Sequence, residues 1–347
     1  MPGGVFPATL RPMTLHQKLW SYRKFWGVPI ALIVLVIVLR DIHLPGVWES
    51  VKGLKPQYLL LVLAFEFLIP VFRAARWRAI IAAHQPVKFQ RVFSVYTIGV
   101  LANFLLPLLA GVAIRLWLLS RRVQVPKTFA FSTMLLEVLF DAFSLIIFMY
   151  AVSFIFRFPE SFVRIESIVF GGVLFFFTLF YFSLLHRKWF FGLPEKLAAR
   201  LPGKMRSKLG RLFSSFTAGL SSLQSTRHFV QVLFFSLASW TCQAGVIYFL
   251  NIAFGYALPP YAAVLVMIIN TVAIMIPITP GNVGVFQLAT LFSLGLFGIS
   301  KEEALSFGIV LHFFDVLPAV VFGSYYMVRE RVTVQELEKQ APKETVF

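Results

Sequence analysis

The sequence predicts an all-α integral membrane protein with about six transmembrane helices and two broken, re-entrant helical hairpins. Three observations lead to this fold class: the composition, the recurrence of long apolar runs, and two apolar stretches that proline and glycine interrupt. Of the 347 residues, 59% are hydrophobic and 14% are charged, and the mean hydropathy is +0.80. Apolar runs recur from Val28 to Val328 and leave no segment long enough for a separate soluble domain.

Six apolar runs are candidates for transmembrane helices. The first follows a basic segment, as in a signal peptide, but no small-residue cleavage site follows it, so we expect an uncleaved span. The domain organisation is a cytoplasmic N-terminal segment at 1–24, a membrane domain at 25–328 and a cytoplasmic tail at 329–347. The expected spans are Phe25–Leu39, Tyr58–Phe72, Phe129–Phe154, Ile165–Leu185, Phe229–Phe254 and Ala304–Val328.

Two further apolar stretches, at about 93–119 and 261–297, contain helix-breaking residues. Proline removes a backbone donor, and broken backbone in hydrocarbon is tolerated only inside protein or beside a watery cavity. Each stretch is therefore expected to be a re-entrant hairpin. The residues expected to break the helices are Pro107 and Gly111 in the first hairpin, and Pro277, Pro280, Gly281 and Gly284 in the second.

The distribution of charge orients these elements. The net charge of +17 lies largely in short segments between the apolar runs, which indicates cytoplasmic loops facing anionic inner-leaflet lipids and argues against nucleic acid as a partner. Basic residues flank the first hairpin on both sides, so both of its ends are expected inside. The uncharged segment at 254–261 is expected outside, so the second hairpin enters from the opposite face. Both termini are then cytoplasmic.

The two hairpins share a local pattern that is typical of an inverted repeat. Pro107 and Gly111 have the same spacing as Pro277 and Gly281, and an asparagine, Asn103 or Asn270, precedes each pair. Transporters with inverted repeats place their substrate near the midplane, where broken elements meet. Because this spacing is a weak pattern, coincidence is the alternative.

The segment at about 187–227 is basic and amphipathic. Apolar residues recur at helical spacing after Pro202, and lysines and arginines fill the other faces. It is expected to be a helix on the inner membrane surface, or else a cationic helix that packs against the bundle.

Ionisable residues inside the expected spans are the strongest candidates for function, because each costs at least about 2.5 kcal/mol at the bilayer centre. One interpretation is a set of structural ion pairs. The other is that Arg115 binds a lipid phosphate, which a guanidinium matches in a bidentate way. Helix N-termini after the breaks would add donors. The residues expected to line a polar path or relay protons are Glu137, Asp141, His312 and Asp315.

Other charged residues have plainer interpretations. Arg73, Arg76 and Arg78 follow the second span and are expected to be topology anchors, with Trp77 as an interfacial aromatic residue. Glu66 is expected to be a paired structural charge. The sequence contains no hydrolase, metalloprotease or P-loop motif, and its single cysteine and scattered histidines predict no metal site and no cofactor.

Four segments resemble the lysylphosphatidylglycerol synthase transmembrane-region family of flippase-like proteins. They are RAARWRAII, LANFLLPLLAGVAIRLWLLSRR, LLEVLFDAF and IPITPGNVGVFQLATLFSLGLFGIS, in this order between Arg73 and Val328. The resemblance implies a multi-spanning bundle that moves an anionic, aminoacylated or isoprenoid-type lipid between leaflets. It also implies a stand-alone member, since no aminoacyl-transferase domain follows.

The sequence departs from the family pattern at three places. The family usually has a glycine and a glutamate where this chain has Asn282 and Gln287, and often an arginine near His312. A charged substrate contact at Gln287 is therefore not carried over. Arg115, Glu137 and Asp141 are the better-supported matches.

These observations predict a lipid translocase of the cell (inner) membrane. The alternatives are a non-transporting subunit of an envelope-lipid or glycan synthesis system, and an integral-membrane transferase. The expected partners are a membrane lipid and anionic inner-leaflet lipids, with a homodimer or a complex with lipid-synthesis enzymes as further options. The expected substrate contacts are Arg115, Asn103, Asn270, Thr279, Asn282 and Gln287.

Overall fold

The structure is a computed structural model that describes residues 44–82, 84–106, 110–155, 226–275 and 279–340, together with single positions at 171, 175 and 178. The regular elements in these ranges are helical. In chain order they are α1 (Leu44–Lys52), α2 (Pro56–Ala82), α3 (Phe89–Leu105), α4 (Ala110–Val123), α5 (Lys127–Ser153), α6 (Thr226–Ala253), α7 (Pro260–Ile274), a 3₁₀ turn (Pro280–Asn282), α8 (Val285–Gly295), α9 (Lys301–Arg329) and α10 (Val334–Gln340).

Four of the described helices are long and apolar enough to cross a membrane: α2, α5, α6 and α9. They contain 27 to 29 residues and are therefore about 40 Å long. Local sequence explains where some of them begin. Helix α9 starts at a capping box, in which Ser300 Oγ accepts a hydrogen bond from the Glu303 amide at 3.3 Å. The protein is thus a multi-pass, all-helical membrane protein.

The two broken stretches consist of short helices. The first is the pair α3 and α4, with 17 and 14 residues. The second is the pair α7 and α8, with 15 and 11 residues, separated by the 3₁₀ turn. Each of these helices is about 17–26 Å long, which is shorter than the roughly 30 Å hydrocarbon core. Within each pair the two helices pack against each other.

The same order of elements occurs twice in the described residues. A long helix, two short helices and a second long helix make up α2 to α5, and the same series makes up α6 to α9. The packing partners also correspond: α3 packs on α9 as α7 packs on α5, and α2 packs on α9 as α6 packs on α5. The first helices of the two series, α2 and α6, lie against each other.

Two short helices that the sequence did not predict flank this arrangement. Helix α1 packs against α9, and α10 packs against α4. Leu337 of α10 is fully buried in the same apolar cluster as Leu118 and Leu119 of α4. The chain after the last long helix therefore returns to the first short-helix pair.

The structure corrects the expected end of the second span. That span was predicted to stop at Phe72, with Arg76 and Trp77 as anchors at the membrane surface, but α2 continues to Ala82. Arg76 is 2% exposed and Trp77 is 0% exposed. The anchor interpretation is wrong for these two residues, because acidic partners from another helix allow the arginine to lie in the interior. Arg78 is exposed, and its Nε donates to the Val87 carbonyl at 3.1 Å.

Several predicted features lie outside the described residues. They are the spans Phe25–Leu39 and Ile165–Leu185, apart from the single positions noted above, the basic segment at 187–227 up to residue 225, and the prolines Pro107 and Pro277.

Candidate functional site

Helix α2 carries one charged and aromatic face into the protein interior. Arg76, Trp77 and Glu66 are buried, with at most 2% of each residue exposed. Arg73 lies one turn before Trp77 and is partly exposed. Residues about three, four and seven positions apart share a helix face, so these four side chains lie on the same side of α2.

Arg76 forms a bidentate ion pair with Asp141 of α5. Its Nη2 donates to Asp141 Oδ2 at 2.9 Å and its Nη1 donates to Oδ1. Nη1 also donates to Ser236 Oγ at 2.7 Å, and Glu137 Oε1 lies 3.7 Å from Nη2. Trp240 of α6 donates from its Nε1 to Asp141 Oδ1 at 2.9 Å. Donors from two helices thus satisfy Asp141, which is the condition for burying such a pair.

Arg115 of α4 contacts the neighbouring carboxylate. Its Nη2 donates to Glu137 Oε2, and its guanidinium lies 4.2 Å from the centroid of the Trp77 ring and 5.0 Å from that of Tyr96. Two aromatic faces stabilise a guanidinium that is removed from water. About 14% of the Arg115 side chain and 29% of the Asp141 side chain remain exposed. The ion-pair cluster therefore has an accessible edge.

A glycine on α3 makes room for Arg115. A Cβ atom built at Gly99 would overlap the Cγ of Arg115 and lie 2.8 Å from its Cδ. The side chain of Arg115 therefore crosses α3 at Gly99, where no side chain projects. We infer that Gly99 positions Arg115 toward Glu137 and Trp77.

Arg73 has a different environment. It lies 5.4 Å from the centroid of the Trp240 ring. Tyr96 is its hydrogen-bonding neighbour, and Asp141 and Asp315 are near enough to interact with it electrostatically. Among the described residues, however, no carboxylate oxygen lies within ion-pair distance of Arg73, and its Nε has no hydrogen-bond partner.

The turn between α7 and α8 is tied to α9 through polar side chains. Gln287 Oε1 accepts a hydrogen bond from the Gly284 amide at 2.7 Å, and Gln287 Nε2 lies 3.1 Å from His312 Nδ1. Since the amide nitrogen of glutamine can only donate, this contact makes Nδ1 the acceptor. The His312 ring also stacks on Phe286 with 4.8 Å between centroids.

Positive backbone φ angles form the turn itself. Gly281, Asn282 and Gly284 have φ of 60°, 59° and 86°, in the left-handed region where glycine and asparagine are least strained. Thr279 closes the turn by donating from Oγ1 to the Val283 carbonyl at 2.8 Å. Pro280 begins the 3₁₀ turn.

The remaining predicted contacts lie apart from the arginines. Asn103 is exposed at the end of α3, and its Oδ1 accepts from the Gly111 amide at 2.9 Å. Asn270 is 4% exposed and donates to Thr290 Oγ1 at 2.9 Å. Asn103 and Asn270 therefore serve local packing in this state.

The C-terminal end of α3 reaches the turn between α7 and α8. Helix α3 packs against the 3₁₀ turn, and Phe104 lies 3.4 Å from where a Cβ at Gly281 would be. This turn contacts His312 of α9 through Gln287. Asp315 is three residues further along α9.

The structure thus groups some predicted site residues into two polar clusters, which Arg73 and Asp315 relate to each other and which we together call the network. Arg115, Glu137 and Asp141 are in one cluster, and Gln287 and His312 are in another, with Asp315 next to Arg73. The sequence interpretation missed that Arg73, Arg76, Tyr96 and Trp240 belong to this network. A signal was present: the buried charges that the sequence analysis singled out were four acidic residues, Glu66, Glu137, Asp141 and Asp315, against one arginine, Arg115, and this imbalance called for further buried cations.

The chemistry of the network suits recognition of charged groups. Guanidiniums bind phosphate and carboxylate oxygens, and aromatic rings exclude water beside them. Among the described residues, no three histidine, cysteine or acidic side chains are grouped as a metal ion would require.

Comparisons with known proteins agree with this architecture. The family described as "Lysylphosphatidylglycerol synthase TM region" matches residues 24–323. The chain is also 21% identical over 331 residues to a protein of Methanocaldococcus jannaschii named "UPF0104 membrane protein MJ1595", an alignment that covers 90% of this chain and 96% of that protein.

Proposed function

The chain belongs to the family of lysylphosphatidylglycerol synthase transmembrane regions, and from this membership together with its buried ion-pair cluster we propose that it moves a lipid with an anionic headgroup between membrane leaflets. The lipid class includes anionic, aminoacylated and isoprenoid-linked phosphates. The family name and the abundance of apolar helices support a role at a membrane lipid. Translocation is our proposal.

The observation that carries the proposal is the accessible edge of the cluster formed by Arg115, Glu137 and Asp141. Charged side chains within membrane helices are costly and mark pathways or partners. Asp141 is the fifteenth of the 27 residues of α5, which places it near the middle of that helix. A purely structural ion pair has no need to stay 29% exposed there.

In this proposal, Glu137 and Asp141 occupy the arginines when no substrate is bound. A phosphate that reaches Arg115 would replace Glu137 as the partner of the guanidinium, because both present oxygen pairs of matching geometry. Glu137 would then remain paired with Arg76. Asn103, Asn270, Thr279, Asn282 and Gln287 would contribute neutral hydrogen bonds when the short helices move.

We further propose that the short-helix pairs are re-entrant and that the two series of helices form an inverted repeat. The corresponding packing of α3 on α9 and of α7 on α5 supports this arrangement. With six spans in total, the basic loops face the cytoplasm of the cell membrane and anionic inner-leaflet lipids. The contact between Phe104 and the turn at Gly281 would lie where the hairpins meet.

Lipid movement in proteoliposomes tests the proposal. Fluorescent phospholipids in the inner leaflet become accessible to dithionite when a protein moves them outward. We expect accelerated bleaching with the wild-type protein and at least a tenfold slower rate with Arg115→Gln, because glutamine keeps hydrogen-bonding capacity but loses the charge.

Arg121→Gln is the matched control, since Arg121 lies on the same helix but is exposed. We expect this variant to retain the wild-type rate. If the purified protein moves none of several anionic lipids, the translocase proposal fails. If Arg115→Gln moves them as fast as the wild type, the assigned site fails.

A further inference from the structure

Arg73 is the arginine of the network that is left without a direct acidic partner. Arg76 is paired with Asp141 and Arg115 with Glu137. Arg73 is partly exposed, lies over the Trp240 ring at 5.4 Å, and has a buried Nε without a hydrogen bond. Its Nε is therefore available to a ligand, and Tyr96 is the hydrogen-bonding neighbour of the rest of the side chain.

Two carboxyl groups lie near Arg73 without bonding to it. Glu66 is on the same face of α2, two turns earlier, and Asp315 comes from α9. Glu66 is 2% exposed, and its Oε1 has no hydrogen-bond partner. Such an unpaired buried oxygen is costly unless a further species reaches it.

Other titratable groups surround this position. His312 on α9 interacts with Asp315, and Cys242 on α6 interacts with Glu66. Tyr96 on α3 and Asp141 on α5 interact with Arg73. Of these, Asp141 is already held by Arg76 and Trp240, and His312 by Gln287. Glu66 and Asp315 remain without such bonds among the described residues.

Charge balance then couples the binding of an anion to the uptake of a proton. Two carboxyl groups beside one guanidinium carry one surplus negative charge, and like charges in a low-dielectric site cannot both ionise cheaply. One shared proton makes the empty site neutral. A bound monoanion would add a negative charge, and a second proton on the pair would restore neutrality.

We propose that Arg73 is a second anion-binding position, distinct from Arg115, where a monoanionic phospholipid headgroup binds together with one proton taken up by Glu66 and Asp315. This inference rests on the proposed function and assigns a proton as the source of energy for that lipid movement. The phosphate oxygens would contact the Arg73 guanidinium, and the proton would come from the aqueous phase. Lipid affinity would therefore rise as pH falls.

Isothermal titration calorimetry of the purified protein tests this directly. The probe is dihexanoyl phosphatidylglycerol, a soluble monoanionic lipid, titrated in two buffers of different ionisation enthalpy. We expect uptake of about one proton per lipid bound, and an affinity that rises up to about tenfold for each unit of pH decrease. This measurement needs no mutation, so it decides the proposal even if variants unfold.

Variants then locate the effect. We expect Arg73→Gln to weaken binding at least tenfold, Arg73→Lys to retain part of the affinity, and Arg78→Gln, an exposed arginine of the same helix, to match the wild type. The double variant Glu66→Gln/Asp315→Asn should bind without proton uptake and without pH dependence.

The outcomes separate this inference from the proposed function. Lipid movement that depends on Arg115 but occurs with no proton uptake on binding overturns the proton-linked site alone. Affinity that follows sodium concentration at fixed pH also overturns it, because a metal cation would then neutralise the pair. If His312→Asn loses the pH dependence of binding while the double variant Glu66→Gln/Asp315→Asn keeps it, the proton binds at His312. The carboxyl pair is then not the proton site, and the inference is overturned. If the protein neither binds nor moves the lipid at any pH, both proposals are overturned.

Discussion

At the scale of the residue, the ion pair between Arg76 and Asp141 determines how the interior tolerates charge. Breaking a buried pair by removing one partner typically costs 3–5 kcal/mol, because the other charge stays buried and unpaired. Asp141→Asn would leave Arg76 with only its longer contact to Glu137, at 3.7 Å. We therefore expect Asp141→Asn to lower the free energy of unfolding by about 3 kcal/mol, measured by thermal or denaturant unfolding in detergent.

The double variant Arg76→Gln/Asp141→Asn supplies the control for this prediction. Removing both charges avoids the unpaired group, so the double variant should lose less stability than the sum of the two single variants. Additive losses would show that the pair is not coupled, and would contradict the bidentate geometry described above.

The residue scale also shows where sequence reasoning reaches its limit. Glu137 and Asp141 could be placed on one helix face from their spacing alone. Arg76 and Trp77 could not be placed in the interior, because arginine and tryptophan after an apolar run are typical of a membrane surface. Arg76 is held by Asp141, which is 65 positions away in sequence, and Trp77 donates from its Nε1 to Thr133 Oγ1, which is 56 positions away. Local patterns carry no information about such contacts.

At the scale of the element, the close approach of α3 and α4 positions Arg115. A Cβ atom at Gly111 would overlap the Gly99 carbonyl oxygen and the side chain of Asn103. Since the obstacle includes backbone, the two helices would have to separate. We expect Gly111→Ala to destabilise the protein by about 1–3 kcal/mol, measured as a lower Tm in detergent.

Gly295→Ala is the matched control for Gly111→Ala. No atom lies within 4 Å of a Cβ built at Gly295, so its stability should change by less than about 0.5 kcal/mol. Equal effects of the two substitutions would contradict the tight α3–α4 contact.

The interruptions in the two apolar stretches were predicted from the sequence, whereas the flanking helices α1 and α10 were not. Proline and glycine interrupt an apolar run in a way that has few explanations, so two broken stretches could be expected from sequence. The precise role of Gly111 could not: it lies inside α4, where it permits close packing and does not form the break. Helices α1 and α10 are short, and their burial against α9 and α4 decides that they form.

At the scale of the whole molecule, the question is whether the corresponding series α2–α5 and α6–α9 have opposite orientations in the membrane. If the series are inverted, the connection from α4 to α5 and the connection from α6 to α7 lie on opposite faces. The first is basic, with Arg121, Arg122 and Lys127, whereas the second is uncharged from Phe254 to Pro260. The positive-inside rule predicts that the first lies in the cytoplasm and the second outside.

Cysteine accessibility tests this inversion. In a Cys242→Ala background, which removes the one native cysteine, Lys127→Cys and Ala257→Cys introduce thiols at exposed positions of the two connections. An impermeant maleimide added to intact cells should label Ala257→Cys and spare Lys127→Cys until the membrane is opened. Labelling of both, or of neither, in intact cells would place the two connections on the same face. The two short-helix pairs would then enter from one side, and corresponding packing would reflect a parallel duplication without opposing hairpins.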